Sequence, residues 1–185
     1  MRGRYAVLDV ETTSGDPSEG RVIEVAVQAY DGAVERLRWD SLVQPRRSIP
    51  PFIRRLTGID ESMMEGAPIF PEVARSLATI TQNRIVVAHN VRYDITALEH
   101  EFARTGLTFD RATLCTEKLS RQLVPQLSHY NLGSLCRYFG IPFIARHRAP
   151  DDAAATASLF LRLIDEFGEE RILLNVSLNV KQLRA

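Results

Sequence analysis

Tyr5-Ala6-Val7-Leu8-Asp9-Val10 is the stretch from which the fold is read. It is apolar on both faces apart from Asp9, which predicts a strand in the middle of a sheet covered on both sides. Downstream, residues 21–30 alternate: Ile23, Val25, Val27 and Ala29 share one face, with Glu24 and Gln28 on the other. Asp31-Gly32 is a hairpin signal, so Ala33 to Val43 should return antiparallel. Pro45, Pro50 and Pro51 make a bend, a short helical piece at 52–57 ends at Gly58, and a helix covers 70–81. Ile85 to Ala88 is a short apolar strand. Val91, Ile95, Leu98 and Phe102 then recur at helical spacing until Gly106 stops the helix. A last short strand is expected at 111–115, with helices at 116–123 and 131–139. A long helix starts near Pro150, where proline fits the first turn. Its stripe is Ala153, Thr156, Leu159, Phe160, Leu163, Ile164 and Phe167. Residues from Gly168 to Ala185 read as one further helix. Three strands in a row, then strands separated by helices, predict a mixed α/β sheet with helices on its faces.

At 185 residues the chain suits one domain. With 45% hydrophobic and 25% charged residues it has the composition of a soluble globular protein. No stretch is apolar enough to span a bilayer. Met1-Arg2-Gly3-Arg4 is basic, but Asp9 and Glu11 interrupt the apolar run behind it, unlike a secretory leader, so a cytoplasmic location is expected. Cys115 and Cys136 lack metal-type spacing and read as two reduced core thiols. Net charge is +0, so only the distribution of charge bears on nucleic acid. Residues 36–55 hold Arg36, Arg38, Arg46, Arg47, Arg54 and Arg55 against the single acid Asp40. Arg137, Arg146 and Arg148 cluster in 137–150 with no acid. Arginine offers a planar fork suited to phosphate. A genome rich in GC would also favour arginine over lysine, but without clustering it.

Asp9 and Glu11 stand two apart on the first strand, so their side chains share a face. Burying two unpaired carboxylates side by side is costly. A divalent cation turns that repulsion into coordination. The solvated end of a strand would tolerate the same pair. Asp94 opens the helix after the strand at 85–88, close to its apolar stripe. A helix-start acid favoured by the macrodipole would look the same. Asp152 opens the last long helix and leans toward its buried face, whereas Asp151 reads as the cap. His147 lies five residues before Asp152, in the loop leading to the helix. His100 and His129 read as surface or packing residues, and Ser128-His129 lacks any Ser-His-Asp or G-x-S-x-G context. Taken together, four acids at element ends would be balanced by two divalent ions, and such ions about 3.5–4 Å apart clamp a phosphodiester for in-line attack. His147, not needed as a ligand, is then free to act as general base on a water.

Asp9-Val10-Glu11-Thr12-Thr13, His89-Asn90-Val91-Arg92-Tyr93-Asp94 and His147-Arg148-Ala149-Pro150-Asp151-Asp152 resemble the three motifs of the DEDDh family of 3′-to-5′ exonucleases. The proofreading epsilon subunit of bacterial DNA polymerase III, RNase T and oligoribonuclease belong to that family. The His89-Asn90 pair is closer to the epsilon and RNase T pattern. Leu56-Thr57-Gly58-Ile59, followed by Ala67-Pro68, is similar to the family's segment between its first two motifs. The likeness runs from about Arg4 to Phe167, so residues 1–167 are expected to form the exonuclease domain and 168–185 a helical tail of the same domain.

The resemblance implies an RNase H-like fold, with a five-stranded mixed sheet flanked by helices. It implies that Asp9, Glu11, Asp94 and Asp152 bind two divalent cations, Mg²⁺ or Mn²⁺, and that His147 deprotonates the attacking water. Thr12, Thr13, Gly58, Ile59 and Asn90 would lie by the terminal nucleotide. The expected substrate is the 3′ end of single-stranded nucleic acid, DNA before RNA, with a DNA polymerase as partner in the proofreading case. An RNA-degrading enzyme is the first alternative. An inactive nucleic-acid-binding or polymerase-associated module is the second, and retention of all five site residues argues against it. Two positions depart from the family pattern. Ser14 precedes Gly15 where glycine often follows the threonines directly, and Tyr93 replaces a frequent phenylalanine.

Overall fold

Five strands form one sheet: β1 (Arg4–Thr12), β2 (Val22–Asp31), β3 (Val34–Leu42), β4 (Ile85–Ala88) and β5 (Thr113–Cys115). Their order is β3-β2-β1-β4-β5, so β1 is central. β1 runs antiparallel to β2 and parallel to β4, making the sheet mixed as expected. The computed structural model describes residues 3–143 and 147–178, which leaves Arg146 of the second arginine cluster outside. The helices are α1 (Pro51–Thr57), α2 (Phe70–Thr81), α3 (Val91–Arg104), α4 (Thr116–Leu123), α5 (Leu132–Phe139), α6 (Ala149–Phe167) and α7 (Glu169–Leu173). Among the described residues no helix is long and apolar enough to cross a membrane. Both cysteines are buried.

Strand alternation divides β1 between two cores. Ala6, Leu8 and Val10 pack with Phe70 and Leu77 of α2 and with Leu98 and Phe102 of α3. Tyr5 and Val7 point the other way, onto Leu159, Phe160 and Leu163 of α6. Asp9 and Glu11 continue the Tyr5–Val7 face and therefore point to the side that α6 covers. β2 is buried on both faces, Glu24 and Gln28 included. Ala26 of β2 meets Ala149 and Ala153 of α6, and these small side chains let the start of α6 come close to the sheet.

Two expectations need correction. Asp151 is not the cap of α6. The N-cap position is Arg148, three residues earlier, and Asp151 is exposed inside the first turn. The tail expected as one helix over 168–185 is not one in its described part, 168–178; residues 179–185 lie outside the described residues. α7 ends at Leu173, and Ser177 then exchanges two 2.8 Å backbone hydrogen bonds with Thr113. β5 is a short edge strand with unpaired backbone groups, and the tail satisfies some of them.

Candidate active site

β4 pairs with β1 only as far as Val7, so the end of β1 runs on without a partner on that side. Asp94 fills part of the gap. Only two residues separate β4 from α3, the second being Asn90 at φ 63°, a left-handed conformation that asparagine tolerates. The turn brings the buried Asp94 back to β1, where its Oδ1 accepts the Val10 N–H at 3.1 Å. Opposite, the exposed His147 adopts φ 61° and donates its backbone N–H to Asp152 Oδ2 at 3.0 Å. One donor or acceptor atom each from Glu11, His147 and Asp152 lie within 4.8 Å of one another. Three elements that are distant in sequence therefore converge on the open end of β1.

Electrostatics joins the four acids. Burial pushes the Asp9 carboxyl well above the usual carboxylate range, and Asp94, Glu11, Asp152 and Glu24 add repulsion. Glu11 is pushed up to about 8, by burial first and then by Asp152, Glu24 and Asp94, with Arg148 acting against them. Asp94 also rises to about 8 through burial, although the Val10 N–H opposes the shift. Arg148 offsets the cluster only in part, because its guanidinium is held by Glu24 at 2.7 Å. Close-set, mutually repelling carboxylates with their nearby cation committed elsewhere fit hard divalent ions.

Glu24 was not foreseen as part of this region. It is 2% exposed, and its register partner across β1–β2 is Glu11. Both its oxygens are used: Oε1 accepts from Arg148 Nη2, and Oε2 accepts the Ala149 N–H at 2.8 Å. The sequence did carry a signal, an acid in the middle of an apolar, β-branched strand, but its partner stands 124 residues away.

The residues expected beside the terminal nucleotide divide. Thr12 and Thr13 are buried. Thr13 Oγ1 accepts the Arg21 N–H at 3.0 Å, closing the 14–20 loop. The Tyr93 hydroxyl lies 2.7 Å from Thr12 Oγ1 and 2.8 Å from the Ser14 carbonyl, so the departure from phenylalanine ties that loop to α3. Asn90 is exposed and shares a cleft of about 540 Å³ with Gly15, Asp16 and Tyr93. Gly58 is exposed at φ 71° as the left-handed cap of α1. Ile59 differs from expectation: the whole residue is buried with Ile23, Ile49, Ile53 and Met64, and its N–H is donated to Thr57 Oγ1 at 3.1 Å.

A family model described as an exonuclease, RNase_T, matches residues 6–160. The chain belongs to the RNase_T exonuclease family. Among its relatives in this family is the DNA polymerase III subunit epsilon of Aquifex aeolicus, 33% identical over 167 residues, or 90% of this chain and 83% of that protein. The PolC-type DNA polymerase III of Caldanaerobacter subterraneus subsp. tengcongensis is 32% identical over 169 residues. That match takes in 91% of this chain but only 12% of the polymerase, so the chain spans a small part of that relative. Among solved structures, the nuclease domain of 3′hExo, a DEDDh family member bound to rAMP, aligns with a TM-score of 0.80 at 18% identity, covering 96% of each chain. The fold is thus the RNase H-like one of DEDDh exonucleases.

In this chain the Glu24–Arg148 pair holds the start of α6, and with it His147 and Asp152, against β2. Its two halves are unequal. Arg148→Leu leaves Glu24 buried beside Glu11, and removing one partner of a buried pair costs about 3–5 kcal/mol. Glu24→Leu leaves an arginine that is 36% exposed and can reach water, and strands only the neutral Ala149 N–H, so about 1–3 kcal/mol is expected. Denaturant unfolding of both variants measures the asymmetry. Equal losses would contradict it.

Proposed function

We propose that this chain removes nucleotides one at a time from the 3′ end of a nucleic-acid strand, releasing nucleoside 5′-monophosphates. The observation that carries the reading is the approach of Glu11, His147 and Asp152 to within 4.8 Å, with Asp9 and Asp94 pressing on the same end of β1. The exonucleases of this family use divalent metal ions. In our reading Asp9, Glu11, Asp94 and Asp152 hold two of them, Mg²⁺ or Mn²⁺. When bound, such a pair acidifies a water and stabilises the leaving oxygen. His147, exposed and carried by the loop before α6, accepts the proton of the attacking water at a ring nitrogen. Asp152 fixes that loop through the His147 N–H. Thr12, Thr13, Gly58 and Asn90 border the terminal nucleotide, with the buried Ile59 directly after Gly58.

DNA is the favoured polymer, because a relative matched along most of its length is a DNA polymerase subunit. That kinship also makes a polymerase the favoured partner and the cytoplasm the favoured location. The RNA reading is supported by the rAMP held by a structural neighbour. Chromatography of the products tests the chemistry. Nucleoside 5′-monophosphates are expected, and 3′-monophosphates would contradict in-line attack by water.

The proposed ligands also give a pH signature. Glu11 and Asp94 sit at about 8 in the folded chain, far above their ordinary values of 4.5 and 3.8. Between those limits the unfolded chain is ionised while the folded chain keeps its protons. Metal-free stability therefore falls as pH rises through that window. Cations bind the deprotonated acids, so the gain in Tm on adding Mn²⁺ should be larger at about pH 8 than at about pH 6. An equal gain at both would count against these four acids as ligands.

A further inference from the structure

The fold splits the arginine cluster at 36–55. Arg36 and Arg38 lie on β3 and pair with Asp31 and Glu35 at 3.2 and 3.0 Å. Arg46, Arg47, Arg54 and Arg55 lie beyond β3, all exposed, in a stretch (44–58) with no acid. Arg54 meets Glu61 at 3.0 Å, in a pair with both side chains over 40% exposed, at 42% and 49%. Arg47 Nη1 donates to the Glu19 carbonyl, a neutral partner that leaves its charge uncompensated. Beside these arginines Phe52 is 61% exposed and Leu56 37% exposed. Phe52, Arg55 and Leu56 share one face of α1, while Ile53 and Thr57 turn inward.

Ile53 packs with Ile49 and Ile59 on Ile23, on the sheet face opposite Glu24 and Glu11, so the ridge meets the site through the loop that leaves β1. Arg47 reaches the 14–20 loop through Glu19, and that loop follows Thr12 and Thr13. A chain of net charge +0 has no overall attraction for a polyanion, so attraction must come from such a local feature.

We infer that residues 46–56 form the surface that grips the part of a nucleic-acid strand upstream of its 3′ end. Arg46, Arg47 and Arg55 contact phosphates, and Phe52 stacks under a base. The inference rests on the exonuclease reading and extends it: the enzyme favours long single strands over very short ones. Aromatic platforms flanked by cations hold single strands in this sequence-tolerant, salt-sensitive way.

Steady-state kinetics on a thymidine dinucleotide and on a dodecamer, at rising salt, test the inference. Wild type should show the lower KM on the dodecamer. Phe52→Ala should raise the dodecamer KM about tenfold. The triple variant Arg46→Ala, Arg47→Ala, Arg55→Ala should flatten the salt dependence by about 0.7 log units per arginine. In both variants the dinucleotide KM should move far less than the dodecamer KM. Equal losses on the two substrates, or a dodecamer KM that stays put, would overturn the ridge. So would a variant whose only change is a smaller mass by light scattering, which would make the surface a contact between copies. Wild type cleaving neither substrate would overturn the exonuclease reading itself. Cleavage without length dependence would overturn only the ridge.

Discussion

Asp9→Asn should lower nucleotide release by about 10³-fold or more, since a metal ion contributes several kcal/mol at the transition state and each 1.36 kcal/mol is tenfold in rate. The same change should stabilise the metal-free protein. Asp9 is raised by burial and by repulsion from Asp94, Glu11 and Asp152. A neutral amide of the same shape removes that repulsion without opening a cavity. At about pH 8 in chelator, Asp9→Asn is therefore expected to melt above wild type, and the order should reverse in excess Mn²⁺. Thermal melts with and without the cation, beside a rate measurement, read both halves. Asp9→Asn that loses activity because it melts below wild type in chelator would assign Asp9 a packing role instead.

His147→Ala should cost about 10²–10⁴-fold in turnover, the usual range for a general base. The substitution keeps the backbone N–H that donates to Asp152, so the carboxylate stays placed. His147 is exposed, and its loss opens no hole in the core. Its ring nitrogen nevertheless lies within 4.8 Å of carboxylate oxygens of Glu11 and Asp152, close enough to raise the question of ligation. A Mn²⁺ titration separates the two roles. Binding near the wild-type value fits the base, whereas binding weakened as far as in Asp9→Asn would make His147 a ligand.

Much of the fold was legible because local signals agreed with it. The helix at 70–81, the strand at 85–88 and the helix at 116–123 match the structure residue for residue. Each is bounded by a turn or by a change of period. The central place of β1 followed from its apolar run, and its two carboxylates stood out against that run. What could not be read depended on pairing across long stretches of sequence. Glu24 looked like one polar position in an alternating strand until α6 brought Arg148 and Ala149 to it. The pairing of Ser177 with Thr113 depends on where the sheet ends, which no local pattern reports. Ile59 lies next to the exposed Gly58, and only the packing of α1 on Ile23 reveals that its side chain turns inward. Asp152 was told from the adjacent Asp151 by its lean toward the buried face of the helix, but the hydrogen bond it accepts from the His147 N–H was not foreseen.

The most direct test of the central claim is a time course on a 5′-labelled single strand of DNA and on the matching RNA, with Mg²⁺, with Mn²⁺ and with chelator. A ladder that shortens from the 3′ end in the presence of either cation and vanishes in chelator is the predicted result, with DNA the faster polymer. Intact strands of both polymers under both cations, from protein that melts cooperatively, would contradict it.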